Sequence, residues 1–201
     1  MQLFYSSRSP YVRKVMIVAH ELGLADQIEL LDCAAHSVQR DRRIIAHNPL
    51  GQVPTMMLDD NTMLADSGVI CDYLNALKQG SLFPAGGTAR WRALTDQALA
   101  DGMMEASLLA RYERGVRPPD KLWPDWLTSH LDKIDTCLQA FNHAAPRFGE
   151  RFDIGTISLA CGLAYLDLRF PEIDWRTAYP NLRRWHASFE ERPPLQATRL
   201  H

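Results

Sequence analysis

Three short pieces in the first half of the chain carry the side chains best suited to chemistry: Ser9-Pro10, Val53-Pro54-Thr55 and Asp66-Ser67. Ser9 stands where a helix N-cap belongs. Pro10 takes the first helical position, where its missing N–H costs nothing, and Val12, Val15, Met16, Ala19 and Leu22 follow at helical spacing as far as Gly23, a stop signal. A hydroxyl in that place sits beside free backbone donors and the positive pole of the helix dipole. An anion next to Ser9 would gain roughly 0.3–1 kcal/mol from the dipole alone. Asp66-Ser67 repeats the arrangement ahead of a second apolar run, Val69, Ile70, Tyr73, Leu74 and Leu77. Each piece alone also reads as plain architecture, since Ser and Asp are common caps and Val-Pro is a common strand-edge dipeptide.

The elements that position these pieces can be read from local pattern. Residues 2–5 are rich in β-preferring side chains, residues 10–22 form a helix, and residues 28–31 form a second strand, which makes a right-handed βαβ unit with parallel strands. Residues 36–47 are polar and helix-compatible up to Asn48-Pro49. Residues 55–64 make a hairpin around Asp59-Asp60-Asn61-Thr62, and the helix capped by Asp66 closes the order βαβαββα. This predicts an α/β domain over residues 1–78, a turn-rich linker over 79–87, and an all-helical domain over 88–201 with helices at 88–114, 122–141 and 154–168.

The element order, with Ser9-Pro10-Tyr11-Val12 at the first helix start, resembles the thioredoxin-like fold of the glutathione S-transferase superfamily. The tetrapeptide stands in the place of the Cys-Pro-Tyr-Cys of glutaredoxins, with both cysteines absent, which removes dithiol chemistry. The Ser-Pro-Tyr form is similar to that of plant tau-type and related bacterial transferases, and the resemblance implies that Ser9 is the catalytic hydroxyl. It further implies that Pro54 is cis, that the backbone of Val53 pairs with the cysteinyl part of glutathione, and that Gln52 contacts the same peptide. Asp66 is expected to take the γ-glutamyl ammonium, and Ser67 with the helix N–H groups the carboxylate. Ser6-Ser7-Arg8-Ser9 also resembles the Ser-Ser-Cys-Ser of zeta-type enzymes, which leaves Ser7 as an alternative to Ser9, and Tyr5 as a third.

The likeness continues to the end of the chain. Asp153-Ile154-Gly155-Thr156 resembles the family's buried helix start with its two polar types exchanged, and Tyr179-Pro180-Asn181-Leu182 resembles the start of its final helix. The implied function is a glutathione S-transferase, with glutathione as co-substrate and an apolar small-molecule electrophile lodged between the domains near Tyr11, Met103, Met104, Leu108 and Tyr112. A glutathione-dependent isomerase or peroxidase, or a non-catalytic binding member, are the alternatives. A homodimer through the helices starting near residues 67 and 88 is implied, with Asp101 reaching toward the partner.

Composition bounds the partners. With 201 residues and 46% hydrophobic content the chain can bury a sizeable core, and a net charge of −2 offers no bulk attraction to nucleic acid. The runs Arg40-Asp41-Arg42-Arg43 and Arg183-Arg184 read as solvated faces. The opening residues read as a strand without a basic region and apolar run, so no export signal is expected, and the apolar run 154–168 is too short for a membrane span of about 20 residues. Cys33, Cys71, Cys137 and Cys161 form no Cys-x-x-Cys pair, which fits reduced thiols in the cytoplasm, and the histidines have no ligand spacing, so no metal is expected. Cys33, at the end of the second strand, reads as a partly buried free thiol.

Overall fold

In the computed structural model, which describes residues 1–200, strand β1 (Gln2–Tyr5) buries Leu3 and Phe4 and forms the centre of a four-stranded sheet of order β2-β1-β3-β4. It pairs in parallel with β2 (Glu29–Asp32) and antiparallel with β3 (Thr55–Met57), which pairs antiparallel with β4 (Met63–Ala65). The helix α1 (Pro10–Glu21) supplies the crossover between the parallel strands and buries Val12, Val15, Met16, Ile17, Val18 and Ala19. It packs against α3 (Ser67–Leu77), whose buried face is Ile70, Cys71 and Leu74; Val69 and Leu77, which the helical spacing also points inward, are instead half exposed.

The helix expected over residues 36–47 contracts to one turn, α2 (Arg42–Ile45). Local side chains compete for the backbone ahead of it. The Nδ1 of His36 accepts from the amides of Val38 and Gln39 at 3.1 and 3.0 Å, and Asp41 caps the turn by accepting from the Arg43 amide at 2.9 Å. The Arg43 guanidinium on the same carboxylate holds the Asp41 pKa far below the usual carboxylate range.

The chain divides into two compact units, Met1–Ala85 together with the segment that begins at Pro193, and Gly86–Arg192. Two details differ from the boundaries expected at 78 and 88. Leu82 and Phe83, in the expected linker, are buried in the first unit, where the Asn75 side chain accepts from the Leu82 amide at 3.0 Å. The C-terminal segment, expected with the helical domain, carries α9 (Pro193–Gln196) against α1. Arg13, buried on α1, donates from Nε to the Thr198 carbonyl at 3.0 Å and from Nη2 to the Leu195 carbonyl at 3.3 Å. These charge-assisted bonds hold the short terminal segment together with the burial of its Pro194 and Leu195.

The second unit is all helix: α4 (Gly87–Gly115), α5 (Pro124–Ala144), α6 (Ile154–Arg169), α7 (Trp175–Ala178) and α8 (Pro180–Phe189). α6 is buried on nearly every side and lies closest to α4. Its start is a capping box with the polar types exchanged: Asp153 Oδ1 accepts from the amides of Gly155 and Thr156, both at 3.1 Å, while Thr156 Oγ1 accepts from the Asp153 amide at 3.0 Å. Arg151 clamps this end, donating to Asp153 and to Asp96 of α4, each at 2.9 Å. Among the described residues no helix is long and apolar enough to cross a membrane.

Small residues set the α4–α6 spacing. A Cβ on Gly155 would stand 2.6 Å from the Ala93 carbonyl oxygen and 2.7 Å from Asp96 Cβ, whereas one on the exposed Gly102 of α4 would meet nothing within 4 Å. Gly155→Ala is therefore expected to lower stability by about 1–3 kcal/mol through overpacking. Gly102→Ala is expected to raise it by about 0.5–1 kcal/mol through helix propensity. Urea unfolding of the two variants checks both signs.

Candidate functional site

Register brings the three chemically interesting pieces to one end of the sheet. Thr55, the first residue of β3, lies opposite Phe4 near the end of β1 and opposite Ala65 at the end of β4. Residues 6–9 just past β1, 52–54 just ahead of β3, and 66–67 just past β4 consequently share that edge. Ser9, Gln52, Val53, Pro54, Asp66 and Ser67, separate in sequence, are gathered there.

Ser9 has extended backbone, φ −88° and ψ 120°, and its Oγ accepts from the Val12 amide at 3.3 Å. The cap bond uses an oxygen lone pair and leaves the hydroxyl hydrogen free to donate outward. Capping and chemistry are thus compatible in this one side chain. The Ser9 amide donates to the Ser6 carbonyl at 3.0 Å, closing a turn that contains Ser7. Tyr5, the last residue of β1, is half-buried.

The Val53-Pro54 bond is cis. Beneath it runs a polar chain: Asn48 Nδ2 donates to Thr55 Oγ1 at 2.8 Å, Thr55 Oγ1 donates to the Gln52 carbonyl at 2.7 Å, and Asn48 Oδ1 accepts from the Leu50 amide at 3.0 Å. Asn48 and Thr55 are both buried. Gly51 turns the loop at φ +62°, where a Cβ would also stand 2.9 Å from Ile45 Cγ1. The Val53 side chain packs on Phe4, Cys33 and Ile44, and among the described residues its amide and carbonyl engage no other backbone group. An extended strand edge of this kind can pair with a peptide. The Gln52 side chain is exposed. Asn48 escapes sequence reasoning, in which Asn48-Pro49 marks only the end of a helix, and Thr55 is singled out there without its bracing role.

Asp66 sits at φ +75°, ψ 132°, a left-handed conformation for a residue with a side chain. Such a conformation costs about 1–3 kcal/mol and is held here by β4 pairing on one side and the α3 cap on the other. Oδ1 accepts from the amides of Gly68 and Val69 at 2.7 and 3.4 Å, while Oδ2 points to no donor among the described residues. Ser67 is 3% exposed, and among the described residues its hydroxyl makes no hydrogen bond.

Cys33 is no rival nucleophile. Burial pushes its thiol pKa up, and its Sγ donates to the Tyr5 carbonyl at 3.2 Å. Met103 and Met104, expected to line a pocket, are fully buried core; Tyr11, Leu108 and Tyr112 stay half-exposed. The sheet end therefore offers two helix N-termini for anionic groups, a carboxylate oxygen for a cation, an extended backbone edge between them, and a hydroxyl donor beside the first helix.

Comparison with known proteins bears on what such a site serves. Residues 8–77 match the family described as glutathione S-transferase, N-terminal domain, and residues 124–188 the family described as glutathione S-transferase, C-terminal domain. The chain is similar to a glutathione transferase family member from Pseudomonas fluorescens solved with bound glutathione, at 43% identity and TM-score 0.96, covering 100% of this chain and 98% of that one. It is 32% identical to a glutathione S-transferase from Methylobacillus flagellatus solved with glutathione bound, at TM-score 0.88 and coverage of 100% and 99%. An uncharacterized GST-like protein of Escherichia coli, YibF, is 27% identical over 186 residues, 90% of each chain.

The Asp66 backbone generates a test that involves no ligand. Asp66→Ala removes the cap and keeps a Cβ at positive φ, and is expected to lower stability by about 2 kcal/mol. Asp66→Gly relieves the conformation and is expected to be at least about 1 kcal/mol more stable than the alanine variant. Chemical denaturation of both proteins decides; equal stability would remove the strain assigned to this residue.

Proposed function

The chain belongs to the glutathione S-transferase family, and on that premise we propose that it is an enzyme that activates the glutathione thiol as a thiolate for attack on a small-molecule electrophile. The observation that carries this reading is the convergence, at one sheet end, of a serine-capped helix start, an unengaged backbone edge after which the chain turns through cis-Pro54, and the Asp66-Ser67 helix start. In this reading glutathione lies extended along Val53. Its cysteinyl amide and carbonyl pair with the Val53 backbone, and its γ-glutamyl ammonium meets the free Asp66 oxygen. The γ-glutamyl carboxylate meets the Ser67 hydroxyl and the first amides of α3. The exposed Gln52 amide is within the same loop and supports the peptide from its edge.

Ser9 is assigned as a hydrogen-bond donor to the sulfur and not as a covalent nucleophile. A thiol of pKa near 8.5 is only about 3% thiolate at pH 7, so a shift down by about two units, to roughly three-quarters thiolate, needs about 2.7 kcal/mol of differential stabilisation. A hydrogen bond to a charged acceptor contributes about 1.5–3 kcal/mol, and the α1 dipole adds a further fraction. The two together match the requirement. The sulfur lone pair then forms the bond to the electrophilic carbon while the leaving group departs with its electron pair.

The same reading includes a homodimer. Its support is the apolar surface on the two helices expected to form it: Val69 and Leu77 on α3, and Trp91 and Leu99 on α4, are each at least 45% exposed.

Titrating the ultraviolet thiolate absorbance of bound glutathione across pH tests the mechanism. Its apparent pKa is expected about two units below that of the free tripeptide, and Ser9→Ala is expected to return it toward about 8.5 with little change in glutathione affinity. Asp66→Asn is expected to weaken affinity at least tenfold, the ratio for about 1.4 kcal/mol, and to leave the thiol pKa low. A bound thiol that titrates like the free one would overturn thiolate activation. Restoration by Ser7→Ala in place of Ser9→Ala would move the role to Ser7.

A further inference from the structure

What aims the Val53 backbone lies beneath it, in the first unit. Asn48 and Thr55 are 3% and 0% exposed. The Leu50 amide stands 3.0 Å from the Asn48 carboxamide and can only donate, so Oδ1 must face it and Nδ2 must face Thr55 Oγ1, 2.8 Å away. The direction of the whole chain follows. The Thr55 oxygen accepts from Asn48, which leaves its one proton for the Gln52 carbonyl at 2.7 Å.

The Gln52 carbonyl and the Val53 N–H belong to one peptide unit, which is trans, the cis bond coming one residue later. In a trans unit the C=O and N–H are coplanar and point in opposite directions. Tying the carbonyl to Thr55 therefore directs the Val53 N–H away from Thr55 and its buried surroundings. That N–H meets no acceptor among the described residues. A carbonyl that accepts a hydrogen bond also polarises its own peptide unit, which strengthens the next bond in the chain by about 10–30%.

Packing alone does not require these polar groups. Thr55 opens β3 at a fully buried position, where Val has nearly the same shape, suits a strand at least as well and brings no hydroxyl to desolvate. Asn48 holds the loop to Leu50 through Oδ1 by itself. What the path from Nδ2 through the hydroxyl to the carbonyl adds is the orientation of one peptide plane, whose donor the fold leaves unused. A donor fixed in direction from below and engaged by nothing points to a ligand that accepts from it.

We propose that Asn48 and Thr55 are positioning residues for the tripeptide: a relay from Asn48 through Thr55 and the Gln52 carbonyl aims the Val53 N–H at the cysteinyl carbonyl of glutathione and strengthens it as a donor. The identity of the ligand rests on the transferase reading; the relay adds which buried groups set affinity at the Cys–Gly bond. Both side chains act through the Val53 amide alone, and no proton leaves the relay.

Calorimetry with two ligands tests it. Glutathione is compared with the analogue in which an (E)-alkene replaces the Cys–Gly amide, keeping its shape but offering no carbonyl to accept. The unaltered protein is expected to bind glutathione at least about tenfold tighter, the scale of a hydrogen bond whose loss strands a partner. In Thr55→Val that ratio is expected to fall below about threefold, and in Thr55→Ser, which keeps the hydroxyl, to stay within about twofold of the unaltered value. Asn48→Asp still accepts from the Leu50 amide, but its carboxylate cannot donate and draws the Thr55 proton to itself, so its ratio is expected to fall as in Thr55→Val. A merely structural role would weaken both ligands alike and leave the ratio unmoved. Circular dichroism melts confirm folding. Where neither of these two variants folds, amide exchange of the unaltered protein by NMR decides: glutathione must slow the Val53 N–H at least about tenfold and the alkene less than about threefold, and equal slowing overturns the relay. Equal binding of the two ligands, a ratio that survives Thr55→Val or Asn48→Asp, or a serine variant that fails to keep it would also overturn the proposal. Glutathione bound with a lowered thiol pKa but without the ratio sinks the relay and spares the transferase reading. A protein that binds no glutathione sinks that reading first, and the relay with it.

Discussion

Thr55 is held on both sides at once, by Phe4 across β1 and by Ala65 across β4, and its hydroxyl ties the loop ahead of it through Gln52 and Asn48. Because side chains alternate with period two along a strand, a slip of β3 by one residue would exchange the faces of the buried Thr55 and Met56, so the pairing is strongly specified. Its effect is positional: the ends of three antiparallel neighbours coincide, and the helices that begin just past two of them open onto the same edge. The polar chain from Asn48 to Gln52 lies buried where few alternatives exist, and a fully satisfied buried network specifies one geometry more sharply than apolar contact does.

The helical unit depends on a different constraint, the closeness of α4 and α6. Gly155 and Gly162 admit the α4 backbone and Met103, and α6 in consequence has hardly any solvent-facing side. A helix so deeply placed must satisfy its own ends, which the Asp153–Thr156 box and the Arg151 clamp accomplish.

Capping and periodicity were legible because they act over a few residues. Ser9 before Pro10, Asp66 before an apolar run, and the exchanged polar types at Asp153 and Thr156 all mark helix starts that the structure contains, and the long helices of the second unit end within three residues of their expected bounds. Periodicity misled where it could not tell core from surface. Val69, Leu77 and Trp91 obey the helical spacing and yet are exposed, since which stripe of a helix is covered depends on what packs against it; Met104 obeys the same spacing and is core, as is Met103, not the pocket lining offered for them. Residues 36–41 have helix-compatible composition, but His36 and Asp41 draw the backbone into local hydrogen bonds that no propensity sum includes.

Family resemblance and local chemistry together gave, from the amino acids alone, the order of elements in the first unit, the starts of α1, α3 and α6, the cis-Pro54 loop and the group of residues worth gathering at one sheet end. The tertiary structure alone decided that Asn48 and Thr55 brace that loop and that Leu195 and Thr198 return to α1 through Arg13. The division has a physical reason. A cap or a turn is satisfied within three or four residues of itself, so its signal is written where it acts. A terminal segment bonded back to the first helix joins residues far apart in the chain, 185 positions in the case of Arg13 and Thr198, and only packing in three dimensions selects which of many such pairs is made.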